Sequence, residues 1–347
     1  MEKVTLQDPK LRDGKIDKES LTIIEQLTLL NLDYARTFLA AHEKPRSGPR
    51  MEVRQGLKEL LGEQPGLKPE LRALLDELDL WGNQRIRLRH FPQELLKDFD
   101  SLTAVRKMAR AAGMFELLDR RVDLQPPETT TPMSISYEER DGSRFLKLVA
   151  AKTRVQYIPE PFTEEITFPE HSDIVYKPFK KETQKIVNFA EINLDTGHSI
   201  ISSPLVRPGY VVTTDFTDFY ESFGPFMRLG AGQELTLFKA TKNIRYLLQT
   251  SDVVIRGRKT RTNIGGTIAL TSHAPDADIR KDQQLRKVEK ALPKAPSPFC
   301  NCYWAPIDGL NEIVHTHVLA SQGEVVIMGQ ARELSVRHVL QRIYSIN

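Results

Sequence analysis

The sequence has little that could crosslink the chain or anchor it in a membrane. Its 347 residues include only two cysteines, Cys300 and Cys302. Two cysteines separated by one residue cannot form a disulfide framework, which argues against a disulfide-rich extracellular protein. The sequence also has no run of eighteen apolar residues and no charged-then-apolar leader, so we expect neither a membrane span nor secretion. A cytoplasmic or nuclear protein is expected.

The sequence also has little net charge. It contains 49 Lys and Arg residues against 46 Asp and Glu residues, a formal net charge of +3. Its apolar content of 40% and charged content of 27% are typical of a folded globular protein. A nucleic-acid-binding surface must therefore come from local clusters of basic residues and not from bulk charge.

The hydrophobic periodicity changes once along the chain, which predicts two domains. Residues 1–122 have apolar residues at helical spacing. Beyond residue 133 the pattern alternates, with Asp141-Gly142 as the clearest turn between two strands. The Pro-rich and Thr-rich segment 123–132 predicts an extended linker. We therefore predict an α+β protein with a helical domain at 1–122 and, at 133–347, a largely antiparallel sheet with flanking helices.

Within the second domain, the pattern also predicts individual elements. Turn residues at Asp195-Thr196-Gly197 indicate a second hairpin. Helices are expected at 240–248, 278–291 and 333–344. A strand is expected at 210–213.

The segment from Leu30 to Leu61 predicts two short helices around a basic loop. Prolines and glycine at positions 45 to 49 end the first helix, and Glu52 lies in the first turn of the second. The residue order resembles the SAP motif, a small DNA-binding helical hairpin. The matching residues are Ser47, Gly48, Arg50, Glu52, Val53 and Leu57. The sequence departs from the motif at Pro49, where a second Lys is usual, and at Gly56, where Arg is common.

The SAP resemblance implies a DNA-binding role for this loop. Backbone amides near Gly48 and the side chains of Arg50 and Arg54 would contact the phosphates. Contacts of this kind give affinity without reading the base sequence. We therefore expect salt-sensitive DNA binding with little sequence selectivity.

The order of elements also resembles the centromere protein N family. A helical head with the basic loop is followed by a leucine-rich helix from Leu71 to Trp81 and then by a long β-rich region. In that family the head binds DNA and a histone surface, and the following mixed domain pairs with a partner protein. The resemblance implies a non-enzymatic adaptor with DNA and a protein as its partners.

Three arginines form a second basic cluster immediately after Trp81. Arg85, Arg87 and Arg89 alternate with Ile86 and Leu88, so an extended backbone would place the arginines on one face. This face could extend the DNA-binding surface of the head. Alternatively, the segment is a connector whose arginines pair with the acidic residues of 70–79.

The strongest local excess of positive charge lies between residues 239 and 261. This segment has seven basic residues and one acidic residue. Its last part predicts a hairpin with a turn at 263–266 and a second strand at 267–271. The basic residues on this hairpin are Arg256, Arg258, Lys259 and Arg261. A basic hairpin suits a phosphate backbone or an acidic protein surface, and the alternative is a solvated strand face.

Two cysteines and two histidines predict a possible zinc site. Cys300 and Cys302, and likewise His315 and His317, are two residues apart and share a face if each pair lies on a strand. A two-residue turn at Asp308-Gly309 would place Cys302 opposite His315 and Cys300 opposite His317. Four such ligands suit zinc. Their separation along each strand argues for the alternative, in which all four side chains are simply packed.

Other catalytic patterns are weaker. Asp215, Asp218 and Glu221 could form a nuclease-like acidic cluster or could serve as helix caps and surface residues. The aromatic residues from Phe216 to Phe226 could form a partner-binding patch or anchor a loop in the core.

We predict a non-enzymatic DNA-binding adaptor without a cofactor, zinc excepted. The alternatives are a protein-sensing or lipid-sensing module without direct DNA binding, and a metal-dependent enzyme.

Overall fold

The computed structural model describes most of the chain and divides it into two compact units. The described residues are 16–45, 47–159, 166–168, 171–176, 179–205, 212–249, 251–261, 266–272, 277–291, 297–307, 310 and 312–347. The two units are Met1–Asp79 and Leu80–Asn347. Helices make up the described part of the first unit, and an 11-stranded antiparallel sheet with further helices makes up the second. The predicted α+β class is therefore confirmed.

The first unit is a small helical bundle. Its helices are α1 Lys18–Leu30, α2 Leu32–Ala41, α3 Arg50–Glu63 and α4 Lys68–Trp81, whose last turn crosses the unit boundary. The carboxylate of Asp17 caps α1 by accepting a hydrogen bond from the Ser20 amide, and the Asn31 side chain caps α2. Apolar residues at helical spacing fill the core between the helices. They include Ile23, Leu27, Phe38, Leu39, Leu57, Leu60 and Leu71.

The second unit is built on one large sheet. In chain order its elements are β1 Gln84–His90, α5 Gln93–Leu96, α6 Leu102–Ala111, β2 Thr131–Arg140, β3 Ser143–Pro159, β4 Ile166–Phe168, β5 His171–Tyr176, β6 Phe179–Asn193, β7 His198–Pro204, α7 Val212–Ser222, β8 Gln233–Glu234, α8 Phe238–Tyr246, β9 Val253–Arg261, β10 Thr267–Thr271, α9 Gln283–Ala291, β11 Phe299–Trp304, β12 Val314–Leu319, β13 Glu324–Ile327 and α10 Glu333–Ile346. The strand order is β10-β9-β11-β12-β13-β1-β7-β6-β3-β2. Strand β8 pairs with β1, and β4 and β5 form a separate pair.

The division between the units differs from the predicted boundary. The sequence predicts that boundary in a linker at 123–132, whereas the compact units meet between Asp79 and Leu80. The reason is β1, which lies in the middle of the sheet and pairs with β13 on one side and β7 on the other. Both partners are more than a hundred residues away in sequence, so the local pattern does not reveal the pairing. The predicted linker is attached to β3, because Thr153 donates hydrogen bonds to the carbonyls of Pro126 and Pro127.

The predicted hairpins are present, and one predicted strand is a helix. Asp141 and Gly142 both have positive φ, +50° and +74°, as a two-residue hairpin turn of the primed type requires. A positive φ at Gly197 likewise marks the turn between β6 and β7. The strand predicted at 210–213 is wrong for residues 212 and 213, which begin α7. Residues 210 and 211 lie outside the described part of the chain.

Helices pack on both faces of the sheet because its strands alternate. On β3, Leu146 and Leu148 belong to a core with α5, α6 and α7. Val149 and Ala151 point the other way, into a core with α8 and α10. No described helix has the length and apolar character needed to cross a membrane.

Candidate nucleic-acid interface

The three arginines of β1 share one face of the sheet, as their alternation predicts. Ile86 and Leu88, between them, are fully buried on the other face. The two carboxylates that neutralise these arginines come from distant strands. We call Arg85, Arg87 and Arg89 the arginine row.

The side chains of the arginine row form ion pairs and hydrogen bonds with other residues of the protein. The Glu324 side chain, 2% exposed, lies 3.3 Å from Nη1 of Arg85 and accepts a hydrogen bond of 2.9 Å from Nε of Arg87. Arg89 donates to the carbonyl of Leu229 at 3.0 Å and lies 3.6 Å from a carboxylate oxygen of Glu234. These two acids lie on β13 and β8 of the same sheet. The arginine row is therefore removed from the candidate DNA-binding surface.

Arg87 makes a second contact that holds it against α7. Its guanidinium lies 4.1 Å from the centre of the Phe216 ring. Burial alone would lower the pKa of Arg87, but the hydrogen bond and charge of Glu324 outweigh burial and raise it. The cation is thus part of the core packing of the sheet.

Strand β9 distributes its cations differently. Arg258 is 4% exposed and engaged with other residues, so it too is removed from the candidate surface. Arg256 is partly exposed, and Lys259 and Arg261 are exposed. Among the described residues, no acidic side chain forms an ion pair with these three cations, which we call the β9 cations. The predicted strand at 267–271 is confirmed as β10, whereas residues 263–265 of the predicted turn lie outside the described ranges.

A β-bulge decides which basic residues of β9 are accessible. Strict alternation would place Arg256 and Arg258 on the same face. Asn301 of β11 instead pairs with Gly257, and Cys302 pairs with Ile255, so Arg256 is an extra residue in β9. As a result, Arg256 turns toward the Tyr303 ring while Arg258 is buried.

Aromatic and histidine rings of β11 and β12 lie next to the β9 cations. The Tyr303 and His315 rings are stacked, with centroids 4.1 Å apart and an angle of 11° between planes. His317 lies 5.1 Å from the His315 ring and 5.1 Å from the Phe299 ring. We call Phe299, Tyr303, His315 and His317 the ring row.

Two of the β9 cations lie at opposite ends of the ring row. Arg256 lies 5.0 Å from the centre of the Tyr303 ring and donates to its hydroxyl at 3.1 Å. Lys259 Nζ lies 5.5 Å from the centre of the Phe299 ring. The rings and cations thus surround the paired residues Gly257 and Asn301, which places fixed positive charge on one patch of the sheet.

The histidines of the ring row add no charge at neutral pH. Partial burial, His317 and Arg256 together lower the pKa of His315 to about 4. Burial also lowers the pKa of His317. Neutral His315 is held by a 2.8 Å hydrogen bond between its Nε2 and Oδ1 of Asn301, in which Nε2–H is the donor. The positive potential of this patch therefore comes from the β9 cations.

The register of β11 and β12 separates the predicted zinc ligands. Asn301, and not Cys300, pairs with His317, and Tyr303, and not Cys302, pairs with His315. This one-residue difference places the cysteines on the face opposite the histidines. The turn residues Asp308 and Gly309 lie outside the described ranges.

The two cysteines lie in the core. Cys300 and Cys302 are 1% and 0% exposed, and their sulfur atoms are 3.2 Å apart. Burial raises the pKa of the Cys302 thiol, which disfavours the thiolate that a zinc ligand requires. Among the described residues, no three His, Cys, Asp or Glu side chains are grouped so as to hold a metal ion. The structure thus does not bring the four predicted ligands together.

The SAP-like loop of the first unit presents one of its two arginines. Gly48 has φ +123°, and its carbonyl accepts a hydrogen bond of 2.7 Å from Arg36. Arg50, at the start of α3, is exposed. Arg54 instead donates to the Thr28 hydroxyl at 2.9 Å and thereby links α3 to α1. Between residues 16 and 79 the sequence has twelve acidic and nine basic side chains, so the helical unit is not basic as a whole.

The phenylalanines of α7 are buried, and its acidic candidates differ in exposure. Asp215 is fully buried, and Lys152 Nζ lies 2.7 Å from its carboxylate and 3.1 Å from that of Asp218. Phe216 and Phe219 of α7 are also buried, so the core alternative is confirmed for the aromatic segment. Buried Asp215 is therefore not part of an exposed acidic cluster, whereas the Asp218 side chain is 44% exposed and Glu221 is exposed.

Sequence reasoning missed the aromatic part of the candidate interface. Phe299 and Tyr303 alternate with the cysteines along β11, and that alternation was the available signal. The sequence pattern favours the cysteines and histidines as the functional set, whereas the structure places the alternating aromatic residues on the same face as the histidines.

Comparison with known proteins gives no independent assignment. Neither the protein-family models nor the curated proteins compared with this sequence give a match.

Proposed function

We propose that this chain is a non-enzymatic DNA-binding protein of the cytoplasm or nucleus. It contacts the phosphate backbone mainly through Arg256, Lys259 and Arg261. One observation carries the proposal: these cations are accessible and have no ion pair with a described acidic side chain, although the chain has nearly equal numbers of acidic and basic residues.

Geometry supports phosphate binding more than base reading. The Tyr303 hydroxyl orients Arg256, which reduces the side-chain entropy lost when the guanidinium binds a phosphate. The rings of Tyr303 and His315 stack on each other and leave less ring surface for a base. Phosphate contacts release counterions, so affinity falls steeply with salt. We expect weak sequence selectivity.

The SAP-like loop supplies a second contact in this proposal. Arg50 has the accessibility that the motif requires, whereas the Glu52 carboxylate lies against Gly48. The acidic balance of the helical unit opposes tight binding by that unit alone. We therefore expect the loop to contribute less affinity than the β9 cations.

The decisive experiment is a fluorescence-anisotropy titration of a labelled DNA duplex across a salt series. We compare the wild type with K259E/R261E and with R50E. A matched control is R106E/K107E, which makes the same charge change at exposed residues of α6 that have no ion pair with a described acid. Strand order places α6 and its core near β2 and β3, at the other end of the sheet from β9.

We expect K259E/R261E to weaken binding at least about tenfold and to reduce the slope of log K against log salt by about two. The R50E change should be smaller, and R106E/K107E should change affinity less than about threefold. Equal losses in both double variants would contradict a defined surface. Displacement of the DNA by polyglutamate as readily as by unlabelled DNA would favour an acidic protein as the partner.

A further inference from the structure

A cleft lies between α10 and strands β3, β6 and β7, on the face of the sheet opposite the ring row. Its volume is about 410 Å³. Small-molecule sites in proteins commonly have volumes of about 300 to 1,000 Å³. Its lining includes Phe145, Glu191, His198, Gln341 and Tyr344. None of them is among the β9 cations or the ring row, so the cleft is separate from the proposed DNA interface.

Aromatic and aliphatic side chains form the walls of the cleft. The rings of His198 and Tyr344 are stacked, 4.9 Å apart and 23° from parallel. The Tyr344 hydroxyl donates to the Ser199 carbonyl at 2.7 Å, which fixes the ring. Ile200 and Leu340 are 7% and 3% exposed. A flat apolar ligand would therefore meet fixed ring and aliphatic surfaces.

The charged groups in the lining neutralise one another. Glu191 is 4% exposed, and Arg337 donates to both of its carboxylate oxygens. Arg140 adds a hydrogen bond of 2.7 Å to Glu191, and Arg337 Nε donates to Glu333 at 2.6 Å. A charged ligand would have to displace one of these partners, whereas a neutral ligand would not.

Two polar side chains of the lining remain available. Neither the Gln341 amide nor the His198 ring makes a hydrogen bond to another described residue. Burial and the neighbouring His90 lower the pKa of His198, so its imidazole is neutral at neutral pH. An amide and a neutral imidazole can each donate and accept a hydrogen bond.

We propose that this cleft binds a neutral heteroaromatic small molecule. Its ring packs against Phe145 and Tyr344, and its polar edge faces Gln341 and His198. The proposal does not depend on DNA binding, since no residue of the cleft contributes to the β9 surface.

A set of three probes with one ring system tests the charge preference. Indole is neutral, indole-3-acetate is an anion and tryptamine is a cation at neutral pH. We would measure each with the full chain by saturation-transfer NMR and by calorimetry. For a ligand of this size in a preformed cleft we expect indole to bind with Kd of about 1 mM or tighter, and each charged probe at least about fivefold more weakly.

Two variants of Ser345 locate the binding. Ser345 is exposed near the C-terminal end of α10 and lines the cleft, and among the described residues its hydroxyl bonds to the Arg342 carbonyl of the same helix. S345F places a ring over the cleft, whereas S345A removes the hydroxyl and leaves the cleft open. We expect S345F to weaken indole binding at least about fivefold and S345A to leave it unchanged. Circular dichroism checks that both variants fold.

The outcomes separate clearly. Preferential binding of indole, lost in S345F and kept in S345A, supports the proposal. Binding of no probe, tighter binding of either charged probe, or equal indole binding by wild type and S345F would overturn it.

Discussion

The arginine row of β1 and the basic segment of β9 look alike in sequence but have opposite fates. Each is a short strand segment with several cations. In β1, Arg87 bonds to a carboxylate whose side chain is 2% exposed, and its guanidinium packs on a ring of α7. In β9, Lys259 and Arg261 are exposed, with no described acidic partner. A cluster of arginines thus indicates a binding surface only when no acid of the protein itself neutralises it.

The difference follows from sheet position. Strand β1 is central, between β13 and β7, and β13 contributes Glu324. Strand β9 is next to the edge strand β10, and its neighbour β11 contributes rings in place of carboxylates. Similar side chains are therefore structural in one strand and available for binding in the other.

The largest expected effect comes from removing the acid that neutralises the arginine row. We expect E324Q to destabilise the second unit by about 3 to 5 kcal/mol, because Arg85 and Arg87 would be left without their buried counter-charge. The control is E234Q, whose side chain is 52% exposed and should cost less than about 1 kcal/mol. Urea unfolding followed by tryptophan fluorescence reports on this unit, since Trp81 and Trp304 both lie in its core. Equal stability of the two variants would contradict the claim that Glu324 stabilises the arginine row.

A comparison of adjacent residues in β9 sharpens the contrast within one strand. R258A should destabilise by about 2 to 3 kcal/mol, because it removes a buried and engaged side chain. K259A should change stability by less than about 0.5 kcal/mol, because Lys259 is exposed. The same urea experiment measures both. A large loss in K259A would mean that the β9 cations are structural like the arginine row.

The ring row should make stability depend on pH. Because the folded-state pKa of His315 is about 4, against 6.5 for an ordinary histidine, the unfolded chain binds a proton more readily between these values. Stability should therefore fall as pH decreases from about 6.5 toward 4. After allowance for the partial exposure of the ring, wild type should lose about 1 kcal/mol more than H315N over this range. Parallel stability profiles for the two proteins would contradict the burial of a neutral imidazole.

The smallest effect is a change in salt dependence without a change in stability. K259Q should reduce the salt slope of DNA binding by about 0.9, the value for one lost phosphate contact. R87Q should destabilise the protein but leave the slope of the folded protein unchanged. Anisotropy titrations at several salt concentrations, with the folded fraction checked by tryptophan fluorescence, measure both. A reduced slope for R87Q, with no change for K259Q, would contradict the proposal, because it would place the phosphate contacts on β1 and not on β9.

The sequence predicted much of the fold and less of the candidate site. The Asp141-Gly142 hairpin and the helix beginning at Glu333 were predictable because turn chemistry and helical periodicity act within a few residues. The central position of β1 was not predictable, because its partners lie far along the chain. The zinc hypothesis was wrong in its geometry for a related reason: a one-residue change of register moved Cys300 and Cys302 to the opposite face from His315.

The amino-acid sequence by itself determined the α+β class, the helical first region, the hairpin turns and the alternation that places the β1 arginines together. Only the tertiary structure decided which cations remain accessible. The bulge opposite Asn301 separates Arg256 from Arg258, and the pairing of β1 with β13 brings Glu324 to Arg85 and Arg87. The physical reason is that a backbone turn or helix depends on neighbouring residues, whereas the solvation and neutralisation of a charge depend on side chains that only the folded sheet brings together.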